Sequence, residues 1–285
     1  MYQWLFILAR GIGQVMFQNN VFSGLLMLIG ILCNSWLLAL LAVAGNFIST
    51  LTAWLSGYDR QEIEDGLYGF NGTLVAIAIG VFMPVSVSSM LLLLVGSALS
   101  TWIAHYFNRW NKIPGFTAPF IFTVWLILGG CIYLFPSLLL PSVKADTESF
   151  IDFFRAFSLN IGQVMFQGGT VLSGLFFLIA ICVNSRRDAL YTVWGALLPI
   201  FIILPFWTDY AVLNTGLLGY NGVLCGIALG RNNWQSAGWA TIAIIFSVLL
   251  QIAGMKIGLT TLTAPFVLSV WIVLGMKYLW KTYTK

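Results

Sequence analysis

The chain has 285 residues, 60% of them hydrophobic and only 8% charged. A soluble domain is about 25% charged, so this composition excludes a water-soluble globule and points to an integral membrane protein. The net charge of +4 is scattered, with no basic block of the kind that binds nucleic acid.

In chain order, continuous apolar stretches at 2–18, 20–33 and 36–56 predict three membrane spans, several of them short for the roughly 20 residues a crossing needs. The N-terminal Met1-Tyr-Gln-Trp-Leu-Phe lacks the positive start and cleavage site of a signal peptide, so the first segment is expected to stay. A solvated loop, Asp59–Asp65, follows. Residues 70–82 then suffice for half a bilayer and are stopped by Pro84. Two further spans are predicted at 85–104 and 117–136. The apolar runs are continuous and do not alternate, which argues against an outer-membrane barrel.

The chain then repeats itself. Gly13-Gln-Val-Met-Phe-Gln18 returns as Gly162–Gln167, Tyr68-Gly-Phe-Asn-Gly-Thr-Leu74 is answered by Leu218-Gly-Tyr-Asn-Gly-Val-Leu224, and Thr117-Ala-Pro-Phe120 by Thr263-Ala-Pro-Phe266. Only two units fit, so the chain is a duplication and no solenoid. The first repeat is assigned to 1–141, a linking loop that includes Lys144 to 142–156, and the second repeat to 157–285. The expected fold is an all-α integral membrane protein of about five transmembrane helices plus one re-entrant half-helix per repeat. An odd number of crossings inverts the second repeat and places a pore between the two, lined by short or broken helices.

Paired motifs should meet there. Gln14 and Gln163 lie in apolar surroundings, where a carboxamide needs a partner. They either glue helices or line a path. Phe17 and Phe166 follow three residues later, a spacing that shares a face on a helix. Phe70 with Leu74, and Tyr220 with Leu224, stand four apart around an Asn-Gly, where lining and core packing are alternatives. Asn71 and Asn221 are expected to cap their half-helices. Thr117 and Thr263 precede an Ala-Pro that suits a helix start, and they either cap it or face the path.

Cys33, Cys131, Cys182 and Cys225 lack metal or redox spacing and read as packing residues. No Asp or Glu lies mid-run and His105 stands alone at a segment edge, which disfavours ion coupling. No catalytic triad, metal cluster or phosphate loop is present, so neither an enzyme nor a cofactor is expected. A path of amides, hydroxyls, carbonyls and rings suits a small, neutral, hydrogen-bonding solute.

The duplicated Gln-x-x-Phe, Phe/Tyr-Asn-Gly-x-Leu and Thr-Ala-Pro-Phe motifs resemble the urea transporter family along nearly the whole chain. The resemblance implies passive, channel-like conduction of urea through a pore in each subunit of a homotrimer in the cell membrane, with both termini cytoplasmic. It carries over Gln14, Phe17, Phe70 and Leu74 as one end of a filter and Gln163, Phe166, Tyr220 and Leu224 as the other. Val15, Val164, Thr117 and Thr263 match positions that narrow the middle. Tyr220 departs from the usual Phe, and some relatives carry Glu at Gln163. Charge bias adds little on orientation, since seven Lys/Arg, Lys285 among them, fall on the side of the N-terminus and six opposite. Channels for ammonia, water or short amides, and an ion-coupled transporter, are the alternatives.

Overall fold

The computed structural model of the protein describes residues 2–141, 147–206 and 210–283. Part of the linking loop, including Lys144, and Lys285 lie outside the described residues. Every regular element among the described residues is a helix. The first half contains α1 (Tyr2–Gln14), α2 (Val21–Asn34), α3 (Trp36–Leu55), α4 (Arg60–Glu64), α5 (Gly69–Phe82), α6 (Val87–Trp110) and α7 (Ala118–Leu134). The second half repeats the order with α8 (Phe153–Gly162), α9 (Val171–Asn184), α10 (Arg186–Ile203), α11 (Ala211–Asn214), α12 (Tyr220–Leu229), α13 (Trp234–Lys256) and α14 (Ala264–Tyr283). Helix α8 begins within the stretch read as loop, because the Asp152 side chain accepts from Arg155 N and caps it.

Among the described residues four segments are long and apolar enough to cross a membrane singly: α3, α6, Arg186–Phe206 and α13. Helices α2, α5, α7, α9 and α12 are apolar but shorter. The uneven lengths follow from local breaks. Ser35 ends α2 by donating its N–H to Ile31 O and starts α3 by accepting from Leu38 N, and Ser185 does the same between α9 and α10. Along α3 the exposed Leu40, Phe47 and Trp54 recur every seven residues on a face suited to lipid. Its other face, with Gly45, Asn46 and Ser49, is buried. Cys131 and Cys225 are buried as packing residues, whereas Cys33 and Cys182 face outward.

Each short helix α5 and α12 sits in its half with its backbone pressed on a neighbour. A Cβ on Gly72 would stand 2.4 Å from Gly45 O, and one on Gly222 would stand 2.7 Å from Gly195 O. Only glycine permits this approach of α5 to α3 and of α12 to α10.

The halves grip each other through bonds that come in exchanged pairs. Ser23 Oγ donates to Ala180 O and Ser173 Oγ to Gly30 O, both at 2.7 Å. Asn34 Nδ2 donates to Gln167 Oε1 and Asn184 Nδ2 to Gln18 Oε1, both at 2.9 Å. Trp125 Nε1 reaches Thr260 O and Trp271 Nε1 reaches Pro114 O. Helices α2 and α9 form the centre of this contact. The core runs through both halves as one cluster that includes Met27, Ile31, Phe120, Phe177, Ile181 and Phe266.

The glycine contacts give a direct expectation. Gly222→Val should lower stability by about 1–3 kcal/mol through overpacking against the α10 backbone, read as a drop in the thermal midpoint of the detergent-solubilised protein. An unchanged midpoint would show that α10 can move aside.

Candidate functional site

The duplicated Gly-Gln-Val-Met-Phe-Gln segments are helix ends, not helix interiors. In the first, Gln18 N bonds Gly13 O and Phe17 N bonds Gln14 O, each at 3.0 Å, with Phe17 at φ 61°. In the second, Gln167 N bonds Gly162 O and Phe166 N bonds Gln163 O, with Phe166 also at φ 61°. This is a Schellman turn with phenylalanine at the left-handed position that glycine usually takes. The expectation that Gln14 and Phe17 share a helical face is therefore corrected: α1 stops at Gln14, and the reversed backbone carries the ring away from the helix axis. The following glutamines hold the turn. Gln18 Nε2 donates to Met16 O at 2.8 Å and Gln167 Nε2 to Met165 O at 2.5 Å.

Each leading glutamine is anchored in one direction. Gln14 Nε2 donates to Asp65 O and Gln163 Nε2 to Thr215 O, both at 2.8 Å. A carbonyl can only accept, so one N–H of each amide is used, the orientation of the side chain is fixed, and each Oε1 is left as an acceptor. Glutamine here both joins elements and presents an oxygen.

Two cavities hold these groups. The first, about 390 Å³, is lined by Gln14, Phe17, Phe70, Asn71, Phe116 and Pro119, with Glu62 and Asn108 also in its wall. The second, about 580 Å³, is lined by Gln163, Val164, Phe166, Tyr220, Leu262 and Thr263, with Phe82, Gln251 and Thr261 around them. The phenylalanine rings cross between halves. Phe17 meets Phe116 and Phe266 edge-on at centroid distances of 5.8 and 6.0 Å, while Phe166 meets Phe82 and Phe120 edge-on, each at 6.2 Å. Val15, Leu74 and Leu224 belong to the closed core instead of either wall.

Between the cavities lies a hydroxyl pair. Thr117 follows Phe116 of the first cavity and Thr263 lines the second, and their Oγ1 atoms are 2.7 Å apart and buried. Thr117 stands at the start of α7 but makes no side-chain cap bond, because its hydroxyl is turned to Thr263. The residues before them, Phe116 at φ 46° and Leu262 at φ 51°, are again left-handed without being glycine. Four such residues around one site are the kind of strain that persists where packing over-determines the backbone.

The asparagines of the short helices are also placed otherwise than expected. Asn71 and Asn221 do not cap α5 and α12. Asn71 Oδ1 accepts from Phe120 N in the first turn of α7, and Asn221 Oδ1 from Phe266 N in the first turn of α14, each at 3.1 Å. The threonine hydroxyls are engaged with each other and the proline has no N–H, so a neighbouring helix supplies the cap.

Glu62, in the wall of the first cavity, accepts from the Tyr68 hydroxyl at 2.5 Å, and that hydroxyl lies 3.2 Å from His105 Nδ1. Tyr58 stacks on the His105 ring at 3.6 Å. Burial, then the bond to Glu62 and its charge, push the Tyr68 hydroxyl above its usual range, so it stays a donor. His105 is thus partnered.

A sequence model of the family described as Urea transporter matches residues 5–278. The chain belongs to the urea transporter family. It is 32% identical over 269 residues to urea transporter 1 of Rattus norvegicus, covering 86% of this chain and 68% of that one. With urea transporter 1 of Ovis aries it shares 31% identity over 289 residues, covering 91% and 73%. Family membership and the apolar helices make this a multi-pass membrane protein.

Several wall residues were not singled out from sequence. Phe116 and Leu262 immediately precede the threonines, and only their left-handed backbone gives them away. Gln251 could have been found by the reasoning applied to Gln14, since it lies in the charge-free run 232–255. It has no counterpart in the first half, so the repeat did not mark it.

The cross-helix caps are testable. Asn71→Leu leaves the buried Phe120 N–H unanswered and should cost about 1–3 kcal/mol, seen as a lower thermal midpoint. Equal stability would mean that another acceptor takes over.

Proposed function

We propose that the protein conducts urea passively across the cell membrane through a path in each subunit, with the two cavities as its ends and the Thr117–Thr263 pair between them. The observation that carries this reading is the matched arrangement at the two cavities. Each presents a glutamine oxygen whose own nitrogen is already bonded, next to a phenylalanine held in a left-handed turn. Urea leaving water must have its N–H donors answered, and unpaired donors would each cost about 1–3 kcal/mol. Glutamine and backbone oxygens accept them, and rings give a flat molecule apolar faces. Several weak sites in series permit release as well as uptake. Ions gain no hydration substitute from phenyl walls.

In this reading Gln14, Phe17 and Phe70 form one end and Gln163, Phe166 and Tyr220 the other. Leu74 and Leu224 back these two ends from the core, and Val15, Val164 and the threonines narrow the stretch between them. The exchanged bonds between halves support two repeats related by a two-fold axis, since reciprocal contacts are what such an axis generates. The repeats are inverted in the membrane, the termini lie in the cytoplasm and three subunits assemble, as the family resemblance implies.

The test is stopped-flow light scattering of proteoliposomes in urea, with and without an ionophore. Protein-dependent urea flux that ignores the ionophore is the expected result; flux abolished by collapsing ion gradients, or none from folded protein, overturns it. Thr117→Leu or Thr263→Leu should slow urea flux about tenfold, equivalent to about 1.4 kcal/mol of barrier, while the oligomer stays intact by size-exclusion. Full flux in either folded variant would remove that threonine from the path.

A further inference from the structure

The two halves differ where a shared hydrogen-bond relay ends. In both, a backbone N–H in the first turn after the threonine donates to an asparagine Oδ1. A backbone N–H cannot accept, so each asparagine is fixed with its oxygen toward the helix and its Nδ2 away from it. In the first half the relay stops there, and Asn71 Nδ2 is buried with no partner.

In the second half it continues. Asn221 Nδ2 donates to Gln251 Oε1 at 3.1 Å, and Thr261 Oγ1 donates to the same oxygen at 2.8 Å. The Tyr220 hydroxyl lies 3.5 Å from that oxygen and donates to Leu262 O. The orientation of Gln251 is therefore settled by its neighbours: Oε1 receives the donors, and both N–H bonds of Nε2 remain. Gln251 is 3% exposed and lines the second cavity. Among the described residues its Nε2 has no acceptor, and it is not one of the sealed polar atoms without a partner, so it keeps access to open space at the cavity that Gln251 lines.

Three positions have changed together. In the register set by the matching Ser89 and Ser236 caps, Gln251 corresponds to Ala104. In the registers of the repeated motifs, Tyr220 corresponds to Phe70 and Thr261 to Gly115. All six line their respective cavities. Phenylalanine, alanine and glycine thus give a wall without side-chain hydrogen bonds, whereas tyrosine, glutamine and threonine give a braced carboxamide.

We infer that Gln251 Nε2 is the donor that binds the carbonyl oxygen of the solute in the second cavity, making Gln251 a specificity-determining residue. The cavity then offers both halves of an amide's complement, an accepting oxygen on Gln163 for solute N–H and a donating nitrogen on Gln251 for solute C=O. It selects planar amides with a strong acceptor over solutes whose acceptor is weak, such as thiourea. This rests on the urea path proposed above.

The experiment measures uptake of labelled urea into proteoliposomes, its half-saturation concentration, and the concentration of unlabelled thiourea that halves it. The variants are Gln251→Met, and Gln251→Glu assayed at pH 8. The second keeps the accepting oxygen that Asn221 and Thr261 use but has no amide N–H. Both should raise the urea half-saturation concentration about tenfold, while the thiourea value shifts less than about threefold, because sulfur accepts hydrogen bonds poorly. If urea and thiourea move by the same factor, or neither moves in a variant that still takes up urea, Gln251 is only a brace and the inference falls. If neither variant takes up urea although both remain folded and oligomeric, the brace also governs conduction as a whole and the selective role falls. If wild-type vesicles take up no urea at all, the proposed function fails and this inference with it.

Discussion

The structure depends on how helix ends buried inside the protein satisfy their backbone groups. A helix that stops in an apolar interior leaves carbonyls bare at one end and N–H groups at the other, and no water is there to answer them. Here α1 ends at Gln14 and α8 at Gly162, while α7 and α14 begin at buried alanines. The solutions are the same in each half. Left-handed phenylalanines close the ending helices, glutamines bond the exposed carbonyls, and asparagines from α5 and α12 cap the starting ones. These groups surround the two cavities, so the residues that complete the fold are the same ones available to a solute.

That coincidence explains why the halves must cross. Phe17 packs on Phe266 and Phe166 on Phe120, and Gln18 and Gln167 are bonded by asparagines from the opposite half. Each half makes its own closing bonds, and the other half packs and orients the groups that make them. A left-handed phenylalanine is uncommon because a side chain at positive φ crowds the backbone; packing from the other half holds it there. A ring so held keeps a fixed edge toward the cavity, which a mobile side chain on a flexible loop could not do.

Much of this was legible in the chain. The repeat, the apolar helices and the short element at 70–82 follow from spacing and from Pro84, and α5 matches those limits closely. Gln14 and Gln163 stood out because carboxamides in apolar runs need partners, and both have them. Phe17 reads as helical from sequence because Gly-Gln-Val-Met-Phe carries no glycine at the turning position, the usual signal of a helix end. Asn71 and Asn221 read from sequence as caps of their own helices because capping is a local signal, whereas the N–H groups in need lie about 45 residues later. Sequence separation of that kind is visible only once α5 and α7 pack together.

The duplication also hid what is not duplicated. A residue that serves one half alone has no repeat to mark it, however buried and polar it is. Tyr220 departs from Phe70, and its buried hydroxyl donates to Leu262 O while standing 3.5 Å from both Gln251 and Thr261. The compensation is complete in the second half and absent in the first, where Asn71 Nδ2 has nothing to meet. Two copies under the same helix-end constraint have thus diverged at the one place where the constraint leaves a free amide. In one copy it is sealed within the packing, and in the other it is extended by a second carboxamide to the cavity wall. Passive conduction needs no symmetry between the ends of a path, only that no site along it binds so tightly that release fails.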